Sequence, residues 1–153
     1  MQKRSTHGDR EDNQFPGLDA WQAAMELAVM VHRAAAILPA SQRFELGAQL
    51  RKAATSVPSN IAEGHAQKGG RTFLRHVRIA LGSLAEVNTQ IELAVRLNLF
   101  TTHDVLALRE GLQRSGQLLH GLERALGKRL QHLAAAIGIA VTCISIAVVI
   151  VLA

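Results

Sequence analysis

The sequence predicts an all-α fold: an up-down-up-down four-helix bundle followed by a hydrophobic C-terminal helical extension. Three observations predict it. Alanine, leucine and arginine dominate the 153 residues and all favour helix, while aromatic residues make up only 3%. Apolar residues recur at steps of three and four through four segments joined by short links. No segment alternates apolar and polar residues as a half-buried strand does. The length suits one domain, divided here into a disordered leader (1–16), the bundle (17–130) and an apolar C-terminal segment (131–153).

The first residues, MQKRSTHGDREDNQ, are polar and charge-balanced. They lack an apolar period and are expected to be disordered. No apolar run follows the basic start, so they do not read as a secretory signal.

Helix one is expected from about Leu18 to Pro39, with Asp19 as a cap or first-turn acid. Trp21, Ala24, Leu27 or Ala28, Val31 and Ala35 make its apolar face, and Pro39 stops it. Helix two is expected to start at Ser41 as N-cap. Leu46, Leu50, Ala53, Val57 and Asn60 share one face. Pro58 removes a backbone donor and crowds the preceding turn, which predicts a bend between Ser56 and Asn60. Gly64 or the Gly69–Gly70 pair is expected to end the helix.

Helix three, from about Arg71 to Asn98, has the clearest register. Phe73, Val77, Ala80, Leu84, Val87 and Ile91 form one narrow apolar stripe. Arg71, Arg75 and Arg78 fall nearly opposite it. Helix four begins at Thr101 or Thr102 with Asp104 in its first turn. Leu108, Leu112, Ser115, Leu119, Leu122, Leu126 and Leu130 sustain a coiled-coil-like spacing.

The last 21 residues, Leu133 to Ala153, carry no charge. At about 1.5 Å per residue they would span roughly 30 Å, the thickness of a bilayer core. Lys128 and Arg129 precede the run, which would hold the bundle on the cytoplasmic side of the inner membrane. The competing expectation is a buried continuation of helix four or a seam between copies, since helix four's stripe continues to Leu133 and Ile137.

The formal net charge is +5 and is concentrated in the middle of the chain. From Ser41 to Arg78 there are seven Lys/Arg against two Glu. A localised basic surface attracts phosphates or anionic lipid, and the competing reading is a solvated face. The candidate group is Arg51, Lys52, Lys68, Arg71, Arg75 and Arg78. On a helical hairpin these could gather into one patch with Lys68 and Arg71 at its tip. No Tyr or Trp accompanies them and Phe73 is expected to point inward. Contact with RNA or DNA would therefore run through the backbone, with little base stacking.

Catalytic and metal chemistry find no motif. Glu63 and His65 are close in sequence, but Gly64 separates them and no nucleophile or metal ligand accompanies them. His65 reads as a cation near a helix end. Asn60, on an apolar face, is expected to fix register or to satisfy a backbone group freed by the proline. No Glu is followed three residues later by His, which excludes a ferritin-like di-metal site. The single cysteine, Cys143, excludes an internal disulfide framework. No cofactor and no enzymatic activity are expected.

The stretches LDAWQAAMELA, QLRKAATSVPSNIAEG and FLRHVRIALGSLAEVNTQIELA resemble the four-helix-bundle proteins of the large-subunit (23S) rRNA intervening-sequence family. Accessory proteins of diversity-generating retroelements are similar to these. The resemblance covers about Leu18 to Leu126, and its most specific parts are Ser56 to Gly64 and Gly82–Ser83–Leu84. It implies a bundle that assembles as a homo-oligomer, a ring of five in the retroelement accessories. It also implies a basic surface used on nucleic acid or on a reverse transcriptase. The apolar tail lies outside the family pattern.

Overall fold

The computed structural model describes residues 18–152 and, among these, the side chains of 19–101, 104–139 and 141. The leader expected at 1–16 lies outside the described residues. Five helices follow in order: α1 (Leu18–Ala36), α2 (Ala40–Arg43), α3 (Leu46–Ala66), α4 (Gly70–Arg96) and α5 (Thr102–Leu152). No strand occurs among them. The four long helices close a ring in which α1 packs on α3 and α5, and α4 packs on α3 and α5. This is the expected up-down-up-down arrangement, with α3 against α4 the most extensive interface.

The predicted stripes form the core. Phe73, Val77, Ala80, Leu84, Val87 and Ile91 of α4 are all buried, three of them completely. Leu50, Ala53 and Val57 of α3, Ala24, Leu27 and Val31 of α1, and Leu108, Leu112 and Leu119 of α5 meet them. Small residues fill much of this core, so the helices approach closely. Ser115, fully buried on α5, donates its hydroxyl to the Ala23 carbonyl of α1 at 3.1 Å.

The expected bounds of helix two are revised. The expected second helix is in two pieces, because the chain turns at Phe44 and Glu45 between α2 and α3. Ser41 lies inside α2 and caps nothing; the Pro39 carbonyl opens that turn by accepting from the Gln42 and Arg43 amides, each at 2.9 Å. Pro58 is accommodated within α3, which stays helical from Leu46 to Ala66. Gly64 does not end α3. It is buried where α4 crosses, and a β-carbon there would lie 2.5 Å from the His76 Cβ. The helix stops two residues later, where Lys68 takes the left-handed conformation (φ 51°) that glycine usually supplies. Its amide, and that of Gln67, donate back to the His65 and Glu63 carbonyls.

Helix α4 likewise ends at Arg96, before Asn98, which adopts φ 54° and reverses the chain. Helix α5 opens on reciprocal capping: the Asp104 amide donates to Thr101 Oγ1 and the Thr101 amide donates to Asp104 Oδ2, both at 3.3 Å. From there α5 runs 51 residues without interruption, about 76 Å at 1.5 Å per residue. Beyond Leu130 it leaves the bundle: residues 131–139 are all exposed, Leu133, Ile137 and Ile139 among them.

Candidate functional site

The geometry of α4 follows from its composition. Its apolar residues repeat every three or four positions and are held against the other three helices. Any residue half a turn away must face outward. Arg71, Arg75 and Arg78 occupy that outer side on successive turns, and all three are exposed. With Leu74 and Ile79 they line a shallow depression of about 450 Å³. The aliphatic parts of the arginines can lie along Leu74 and Ile79 while the guanidinium groups reach solvent.

Arg71 and Arg75 have no ion-pair partner among the described residues. Arg78 does have one. Its Nε–H donates to Glu123 Oε1 of α5 at 2.9 Å, and its side chain remains 63% exposed. The Arg78 guanidinium beside Glu123 holds that carboxyl below the usual carboxylate value, against a smaller opposing effect of desolvation.

The other predicted cations are placed elsewhere. Arg51 turns toward the α2 end of the molecule and donates to the Arg43 carbonyl at 3.3 Å. Arg43 in turn donates to the Leu38 carbonyl, so these two arginines brace the turn between α1 and α3. Lys52 is exposed on the next position. From Lys52 to the end of α3 at Ala66 is about 21 Å along the helix. Lys68 sits at that far end, in the α3–α4 turn. The six cations therefore divide into Lys68 with the α4 row that follows it along the chain, and a pair toward the other end of α3.

What holds α4 in register against α3 is a polar ladder. His76, only 7% exposed, donates from Nδ1 to Asn60 Oδ1 at 3.3 Å. Asn60 Nδ2 donates to the Ser56 carbonyl (2.8 Å) and to Ser56 Oγ (3.1 Å). Ser56 and Ser83 hydroxyls are 2.8 Å apart, which closes the ladder across the interface. Asn60 thus fixes register, one of its two expected roles. The carbonyl it reaches is that of Ser56, four residues before it, and not that of Ala54, which Pro58 leaves without its helical donor.

Sequence reasoning missed Glu123 and His76. Both act through contacts 45 and 16 residues away along the chain, which no local spacing reveals.

Further concavities lie on the bundle, two of them beside α3. One, about 580 Å³, runs between α1 and α3 past Trp21, Met25, Val29, His32 and Pro58. The other, about 420 Å³, lies where the α3–α4 turn meets α5, with Lys68 and Arg129 in its lining. Among the described residues, no three His, Cys, Asp or Glu side chains converge as a metal site would require. Among them, too, no helix is long and apolar enough to cross a membrane. Of the apolar tail, residues 140 and 142–152 are described in backbone alone.

Residues 17–121 match the family model of the 23S rRNA-intervening sequence protein. Among solved structures, the chain is similar to a crystal structure of a protein of unknown function from the S23 ribosomal protein family of Bacteroides thetaiotaomicron. The two share 21% identity with a TM-score of 0.66, over 72% of this chain and 99% of that one. At that identity the likeness concerns the fold. No curated protein matches the sequence.

Proposed function

Because the chain belongs to the 23S rRNA-intervening sequence protein family, we propose that it is a non-enzymatic bundle that self-associates and presents a basic surface to nucleic acid, RNA in the first instance. The observation that carries this reading is the row Arg71–Arg75–Arg78: three guanidinium groups on successive turns of one rigid helix, outward because the opposite side is core. Phosphate contact requires little more than exposed, adjustable cations on such a support. Without aromatic residues in the row, recognition is backbone-directed and tolerant of sequence. Self-association is supported by large apolar side chains left exposed on the bundle, Phe44 at 81% and Ile37 at 66%.

Titrating a generic RNA into the full chain at rising salt tests the reading. Affinity that falls steeply with salt supports it, and affinity indifferent to salt removes it.

A second reading has its own support. α5 continues as one helix out of the bundle and into the 21-residue uncharged run. In this reading the run anchors the bundle in a bilayer, with Lys128 and Arg129 at its cytoplasmic edge.

A further inference from the structure

The cavity of about 420 Å³ at the α3–α4 turn has two unlike halves. Phe73, Leu126, Leu130 and Leu133 supply an apolar wall, while Lys68 and Arg129 supply charge. Neither cation has an ion-pair partner among the described residues, and no Asp or Glu lines the cavity. Its position is fixed by the backbone. The left-handed Lys68 turns the chain into Gly69 and Gly70, and a β-carbon at Gly70 would lie 3.2 Å from Leu130 Cδ2. That close approach seats the turn directly on α5, one helical turn before the uncharged run begins.

We propose that this cavity binds the headgroup of an anionic phospholipid, with the first part of an acyl chain lying along Leu130 and Leu133. The proposal rests on the tethered reading, in which the run beginning at Leu133 enters the bilayer. In that case the cavity opens at the level of the headgroups. A phosphodiester there meets Lys68 from the turn and Arg129 from α5. The adjoining glycerol and acyl carbons meet the leucines, which continue without a break into the apolar run. A free phosphate would satisfy the cations and leave that apolar wall wet. An amphiphile satisfies both halves, and charge complementarity selects an anionic one.

The test uses the full chain reconstituted in vesicles of phosphatidylcholine and phosphatidylglycerol mixed equally. Flotation reports incorporation, and native mass spectrometry after mild detergent extraction counts the lipids retained. The expected result is incorporation with selective retention of phosphatidylglycerol. Lys68→Gln with Arg129→Gln should lower that retention on the order of tenfold. Arg51→Gln with Lys52→Gln removes the same charge at the other end of α3 and should leave retention unchanged.

Failure to float overturns the tethered reading and this site with it. Incorporation without preference between the two lipids overturns the site alone. Equal losses in both double variants also overturn it, since they would reflect net charge. Displacement of the retained lipid by millimolar inorganic phosphate would assign the cavity to the free ion and overturn the lipid proposal.

Discussion

Arg78 of α4 donates its Nε–H to Glu123 Oε1 of α5 at 2.9 Å, so the last arginine of the basic row is tied to a neighbouring helix while the first two are not. The pairing restrains Arg78 and offsets part of its charge. Glu123→Gln should therefore strengthen RNA binding a few-fold, whereas Glu86→Gln, elsewhere on the exposed surface of α4, should have less effect. Fluorescence anisotropy with a labelled RNA measures both.

The same pair gives a pH dependence. Arg78 lowers the Glu123 carboxyl from its ordinary value of 4.5, as Arg96 chiefly lowers that of Glu92. A carboxyl lowered in the folded state takes up its proton more readily when unfolded. Its stabilising contribution is present above about pH 4.5 and is lost as pH falls through the folded value. The two carboxyl side chains are half-buried, but their arginine partners are largely exposed and solvent screens both pairs, so the effect is modest. Thermal unfolding between pH 7 and 3 should show a shallow fall in Tm below pH 4.5, shallower still in Glu123→Gln. Identical profiles for the two proteins would reject the pair's role.

Gly64 and Gly82 should respond to alanine in opposite directions. At Gly64 the added carbon meets His76 and, at 3.0 Å, Phe73. Helices α3 and α4 must then separate, at about 1–3 kcal/mol. At Gly82 the added carbon meets nothing within 4 Å, in the middle of α4. Alanine there should stabilise by about 0.5–1 kcal/mol through its better helix propensity. Chemical denaturation of the two variants checks the contrast.

The four long helices and most core positions were legible in the sequence, because an amphipathic stripe such as Phe73 to Ile91 states both the helix and its buried side; Leu38 and Ile61, both wholly buried, fell outside the expected stripes. The arginine row was legible for the same reason: it is the complement of that stripe. The boundaries were less so. Gly64 reads as a stop signal, but its lack of a side chain serves a close helix crossing, and only the third dimension tells these apart. Lys68 ends the helix in a conformation that its type seldom adopts. The division of the six cations depends on where α3 begins and ends in space, which spacing along the chain does not convey.

Removing residues 131–153 separates the two readings of the tail. The cut falls after Leu130, so the buried Leu126 and the contact of Leu130 with the α4 start are retained. The full chain should float with vesicles and the shortened one should stay in the aqueous fraction, with its helical bundle intact by circular dichroism. Equal behaviour of both chains would show that the run packs within the protein's own assembly.

The most direct test of the basic face is charge reversal along it. In Arg71→Glu/Arg75→Glu/Arg78→Glu, affinity for a generic single-stranded RNA should collapse. The slope of log affinity against log salt should drop by about 2, the share of three phosphate contacts at about 0.7 each. Arg51→Glu/Lys52→Glu should lose much less. Unchanged binding and an unchanged slope in the triple variant would contradict the assignment of this face to nucleic acid.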